Sequence, residues 1–162
     1  MPKRRWISAG SFRDGNRKNR KEKDDNLRLS LLVRDILTDR GYIVVMTREN
    51  DSGVSLSDRC KIANKARASL FVAIHRNSST GDGKGVETWV HSSQPTDDML
   101  LAENLMENMR VVGFSADRGI NFGYRKGENM NYYINRNTKM PSCLLEVGFI
   151  TSDEDNKDFD EK

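Results

Sequence analysis

The hydrophobic pattern of the chain switches between two kinds of segment. Short runs of consecutive apolar and β-branched residues read as buried strands: Tyr42–Thr47, Leu70–Ile74, Val86–Val90 and Ser142–Ile150, with Arg5–Ala9 a shorter candidate at the start. Between them, apolar residues recur at helical spacing. Leu29, Leu32, Val33, Ile36 and Leu37 mark one face of a helix over Asp25–Arg40, and Gly41 supplies its stop. Leu56, Cys60, Ala63 and Ala66 mark a second helix that Ser55 or Ser57 can cap. Leu101, Leu105, Met109 and Val112 mark a third over Asp97–Val112, where the methionines read as core filler.

Buried strands that alternate with helices predict βαβ units. The expected fold is α/β: a twisted, mainly parallel sheet flanked by helices on both faces. No internal repeat or linker divides the 162 residues, so residues 1–162 are expected to form one domain around one core. Ligands of such sheets bind beyond the carboxyl ends of the strands, and that rule says where to look for chemistry.

Composition narrows the classes. With 36% hydrophobic and 31% charged residues and a net charge of +3, the chain reads as globular. It has no apolar run of about 18 residues, so no membrane insertion is expected. Met1 to Trp6 is basic without an apolar stretch behind it, and no signal peptide is read there. Cys60 and Cys143 are too few for a disulfide framework, lack metal-knuckle spacing, and read as small core hydrophobes. Basic residues crowd the first thirty positions (Lys3, Arg4, Arg5, Arg13, Arg17, Lys18, Arg20, Lys21, Lys23, Arg28), whereas the stretch from Thr151 is acidic. The basic arm lacks interleaved aromatics. It reads as a solvated surface drawn to anionic polymers, and no nucleic-acid partner is expected.

Two polar residues stand where the apolar pattern does not want them. His75 directly follows Leu70–Ile74, at the end of a strand where a neutral imidazole suits zinc; the other reading is a hydrogen-bonded structural histidine. Glu146 lies inside Cys143-Leu144-Leu145-Glu146-Val147. A carboxylate there is costly to bury unless it is paired or metal-linked, and burial favours the proton-holding form that acid–base chemistry uses. Its other reading is an edge strand whose glutamate faces water. Glu22, in Arg20-Lys21-Glu22-Lys23-Asp24-Asp25, reads by itself as a solvated helix start, and His91 as a surface or rim residue.

Taken in order, several segments resemble a known family. They are Glu22-Lys23-Asp24, Gly41-Tyr42-Ile43-Val44-Val45-Met46-Thr47-Arg48, Ser55-Leu56-Ser57-Asp58-Arg59 with Ala63-Asn64-Lys65-Ala66, and Phe71-Val72-Ala73-Ile74-His75-Arg76-Asn77-Ser78. Gly85-Val86-Glu87-Thr88-Trp89, Asn137-Thr138-Lys139-Met140-Pro141 and Leu145-Glu146-Val147-Gly148-Phe149-Ile150 complete the series. Together they resemble the zinc-dependent N-acetylmuramoyl-L-alanine amidases of bacterial autolysins and phage endolysins. The resemblance implies one zinc held by two histidines and a glutamate, with a second glutamate as acid–base. Glu22 then matches the ligand glutamate, His75 the second ligand histidine and Glu146 the catalytic glutamate. The implied partner is bacterial peptidoglycan, met at the cell wall by a monomer.

Two departures qualify what the resemblance implies. The family's first histidine follows a glycine at the end of the first strand, but here Gly10 is followed by Ser11. A neutral hydroxyl is a weak ligand, and Asp14 is the nearer chemical substitute. The expectation therefore divides between an active amidase and a degenerate module that holds peptidoglycan without cutting it. A nucleic-acid binder, motivated by the basic arm alone, is the third class. The second departure is the ending: the stretch after Ser152 reads as only the start of the family's last helix, so the domain is expected to lack the rest. If the reading holds, Leu70–Ile74 and Cys143–Val147 lie in one sheet, and His75 and Glu146 open into one crevice.

Overall fold

Apolar runs become strands and amphipathic stretches become helices, in alternation along the chain. The computed structural model describes residues 5–10, 16–17, 20–124 and 130–162. The elements are β1 (Arg5–Gly10), β2 (Asn16–Arg17), β3 (Arg20–Lys21), α1 (Glu22–Asp39), β4 (Ile43–Met46), α2 (Leu56–Ala66) and β5 (Leu70–Asn77). They continue with β6 (Val86–Val90), α3 (Thr96–Val112), β7 (Asp117–Phe122), α4 (Tyr133–Asn137), β8 (Ser142–Phe149) and α5 (Asp153–Glu161). Six strands form one sheet in the order β4-β1-β5-β8-β6-β7, and β2 and β3 pair separately. All neighbours in the large sheet run parallel except β6 and β8. This is the expected α/β architecture, with one antiparallel step.

Side chains alternate along the strands and divide the core into two layers. Phe71 and Ala73 of β5 and Leu144 of β8 pack with Cys60 and Ala63 of α2 and Ile134 of α4. Val72, Ile74, Cys143, Leu145 and Val147 face the other way, against Ala102 and Met106 of α3, Leu29 and Val33 of α1 and Phe159 of α5. Both cysteines are buried as small hydrophobes.

Several local expectations shift. α1 begins at Glu22, three residues earlier than its apolar spacing shows, because Glu22, Asp24 and Asp25 suit the positive end of a helix dipole. Ser55, not Ser57, caps α2, accepting from the Asp58 amide at 3.1 Å. β5 runs on to Asn77, so His75 lies within the strand and not just beyond it. The sequence pattern does not announce β7 or α4. β7 is an edge strand with no continuous apolar run, and α4 is too short to show a period. Leu32 and Ile36, expected on the buried face of α1, are 56% and 43% exposed. The acidic stretch after Ser152 forms α5, capped by the Ser152 hydroxyl, which accepts from the Asp155 amide.

α5 ties the carboxyl end of β5 to the start of α1. The Arg76 side chain is wholly buried, and burial lowers its pKa to about 10. It donates to Asp25 Oδ2 of α1 and Asn156 Oδ1 of α5, both at 2.7 Å, and its guanidinium lies 4.1 Å from the centre of the Phe159 ring. Arg20 and Arg28 complete the cluster, each bonded to Asp160 at 2.6 Å.

Candidate active site

The site forms where β5, β8 and β6 lie side by side. His75 is the register partner of Glu146, and Glu146 in turn that of Glu87. Direct partners on adjacent strands project from the same face of a sheet, so the three side chains form one row across three strands. Immediately past the His75–Glu146 pair the register slips: between it and the next pair, Asn77–Phe149, β5 has one residue, Arg76, and β8 has two, Val147 and Gly148. The extra residue is accommodated at Gly148, with φ of 73°, where a Cβ would come within 2.9 Å of Asp155 Cβ. Asp155 is fully buried and accepts from the Phe149 amide at 2.7 Å and the Gly85 amide at 2.9 Å, which ties the bulged end of β8 to the segment that leads into β6.

Glu22 reaches this row from the first turn of α1. Its Oε1 lies 3.1 Å from His75 Nδ1 and accepts from Asn26 Nδ2, also at 3.1 Å. The turn that carries it is clamped. Arg48 Nη2 donates to the Lys23 carbonyl at 2.5 Å, the Lys23 ammonium pairs with Asp51 at 2.5 Å, and Arg76 holds Asp25. Glu22 and Glu146 are both 8% exposed, so neither is the solvated charge that its alternative reading supposed. For Glu146 the reason is topological: β8 is an interior strand, with β5 on one side and β6 on the other.

Glu87 is not among the sequence-derived candidates, although the same signal marks it: a carboxylate inside an apolar strand. It is 2% exposed. Its Oε1 accepts from Asn77 Nδ2 at 2.8 Å and Trp89 Nε1 at 3.0 Å, and its Oε2 from Arg118 Nε at 2.7 Å. A second buried carboxylate therefore stands beside Glu146 with its charge met by Arg118. His91 sits past the end of β6, at the opposite pole of β8 from Glu146, bonded to Ser93; it takes no part in the row.

The donor chemistry at Glu22 and His75 suits zinc. A carboxylate oxygen and an imidazole nitrogen each about 2.0–2.1 Å from a tetrahedral ion would lie roughly 3.3 Å apart, close to the separation here. The Asn26 bond to Glu22 is the kind of outer contact that orients a metal ligand. Among the described residues, no group of three His, Cys, Asp or Glu side chains is arranged to hold a metal ion. β1 ends level with the site, since Gly10 pairs with Ile74, but Ser11 and Asp14 lie outside the described residues.

The sequence profile of the N-acetylmuramoyl-L-alanine amidases matches residues 8–162. The chain belongs to that family. It is 36% identical to the endolysin of Bacillus phage SPP1 over 168 residues, covering 98% of this chain and 57% of the endolysin. It is 32% identical over 136 residues to the N-acetylmuramoyl-L-alanine amidase LytC of Bacillus subtilis, covering 83% of this chain and 26% of LytC. Among solved structures it is similar to the catalytic domain of the amidase CwlV from Bacillus (Paenibacillus) polymyxa. That match has a TM-score of 0.80 and 35% identity, over 98% of this chain and 88% of that one. The chain spans 62% of the length of B. subtilis YqiI, to which it is 33% identical, and a smaller share of the two curated amidase-family relatives above.

Proposed function

We propose that the chain is a peptidoglycan hydrolase that cleaves the amide between N-acetylmuramic acid and the L-alanine of the stem peptide, acting at the bacterial cell wall as a monomer. The observation that carries this reading is the convergence of Glu22 and His75 at 3.1 Å beside the register partner of His75, Glu146. Glu22 and His75 would hold a zinc ion. Zinc bound there supplies polarisation of the scissile carbonyl and acidification of water. Glu146 takes the proton of the attacking water and returns it to the leaving alanine nitrogen, so that the amine departs neutral. Its place in an interior strand, as the direct register partner of His75, puts it next to a group that would hold the metal.

A second reading is a module that holds peptidoglycan without cutting it. It is favoured by Ser11, which follows Gly10 where the family carries its first ligand histidine, because catalytic zinc sites usually offer three protein ligands. The deciding experiment measures zinc content and release of stem peptide from purified peptidoglycan, for the parent and for a variant with histidine inserted between Gly10 and Ser11. Insertion is expected to raise both. An inserted variant that binds zinc tightly yet releases no peptide would leave the binding module as the function. Unchanged zinc affinity would mean that another group, Asp14 first, already fills the third place.

A further inference from the structure

Arg118, two strands across the sheet from Glu146, forms a cationic site that the proton transfers do not use. It lies on the edge strand β7, and its side chain is 42% exposed, whereas that of its partner Glu87 is 3% exposed. Two contacts fix the guanidinium. Nε donates to Glu87 Oε2 at 2.7 Å, and the guanidinium carbon stands 5.1 Å from the centre of the buried Phe149 ring. Nη1 and Nη2 make no hydrogen bond among the described residues. One edge of the fork is thus anchored and stacked, and the other is open to solvent. Neutralising Glu87 would require only a charge; a planar group held at Nε with its outer amines free is set to receive a second anion.

We propose that Arg118 binds a carboxylate of the stem peptide just beyond the scissile amide, and so selects substrates with an acidic residue there. The inference rests on the amidase reading of the site. Reach supports it. Glu146, Glu87 and Arg118 stand on consecutive strands, about 4.8 Å apart each, so Arg118 is within roughly 10 Å of the acid–base. An extended peptide covers about 3.3 Å per residue, and the residue after the alanine is a D-glutamate whose α-carboxylate falls inside that span. Glycan hydroxyls are neutral and give a guanidinium fork no comparable bidentate partner. Arg118 is accordingly a substrate-binding residue, and Glu87 the positioning residue that aims it.

The test uses two muramyl tripeptides identical except that the α-carboxyl of the D-glutamate is free in one and amidated in the other. The parent is expected to favour the free acid by roughly 10- to 100-fold in kcat/KM, the difference lying in KM, as for loss of one charge-assisted pair. Arg118→Gln should erase that preference by weakening only the acidic substrate, and Arg118→Lys should keep part of it. Because each ratio is taken within one preparation, any loss of folded protein cancels. A parent without preference, or an Arg118→Gln variant that keeps the parental ratio, overturns the proposal. If the parent hydrolyses neither compound, the amidase reading fails alone. The affinities of the two compounds, measured by calorimetry on parent and Arg118→Gln, then decide the carboxylate site by the same ratio.

Discussion

His75 Nδ1 and Glu22 Oε1 lie 3.1 Å apart although 53 positions separate the two residues in the chain. One sits in an interior strand and the other in the first turn of a helix that packs on the sheet. They meet because α1 runs back along the sheet from the carboxyl ends of the strands, and because Arg48 and Arg76 pin its first turn. The pair accordingly depends on both elements, and its chemistry can be tested from either side.

Removing the imidazole should remove the metal. His75→Ala is expected to lose zinc to a chelator far more readily than the parent, by more than the roughly 10- to 100-fold that an outer contact is worth. Asn26→Ala, which deletes the bond to Glu22 Oε1, should fall within that smaller range. Equal zinc content in parent and His75→Ala after dialysis would place the metal elsewhere.

Glu146→Gln separates holding the metal from using it. The amide keeps the shape of the carboxylate but can neither take a proton from water nor give one to the amine. Zinc content should be unchanged, while hydrolysis of peptidoglycan falls about 10²- to 10⁴-fold, best read in the variant with the inserted histidine. Loss of zinc along with activity would make Glu146 a ligand and not the acid–base.

The bulge after Glu146 should be costly to disturb. Asp155 accepts from the Phe149 and Gly85 amides and from the Ser115 hydroxyl, with no exposure to solvent. Asp155→Ala strands all three donors, and urea denaturation should show a loss of roughly 3–5 kcal/mol. A loss below about 1 kcal/mol would mean that water replaces the carboxylate easily.

Asp160 gives α5 a dependence on pH. The Arg20 hydrogen bond, with Arg28 adding to it, holds its carboxyl well below the usual range. A depressed carboxylate pKa stabilises the fold above the unfolded value of about 3.9, and the contribution disappears as pH falls through the folded value. Asp160→Asn should therefore lower the melting temperature at pH 7 and approach the parent as acid is added below about pH 4. At 45% exposure the pair is screened, so the difference at pH 7 should be about 1 kcal/mol or less and smaller still in high salt. A gap between the two proteins that stays constant from pH 7 to pH 2 would rule the linkage out.

The order of strands and helices could be read from the sequence because apolar period is a local property: Leu70–Ile74 can bury both faces only in a strand, and Leu101, Leu105 and Met109 align only on a helix. Glu146 was legible for the same reason, as a charge interrupting a buried run. Glu87 carried that signal too, but the meaning of a buried carboxylate depends on its neighbours, and Asn77, Trp89 and Arg118 reach it only through strand pairing. Nothing local distinguishes Glu22 from the charges around it. Its burial against His75 follows from where α1 crosses the end of β5. The central place of β8, the antiparallel turn of β6 and the register that sets His75 beside Glu146 were likewise decided by tertiary structure, because strand order and register depend on how distant apolar faces pack together and not on the period within any one of them.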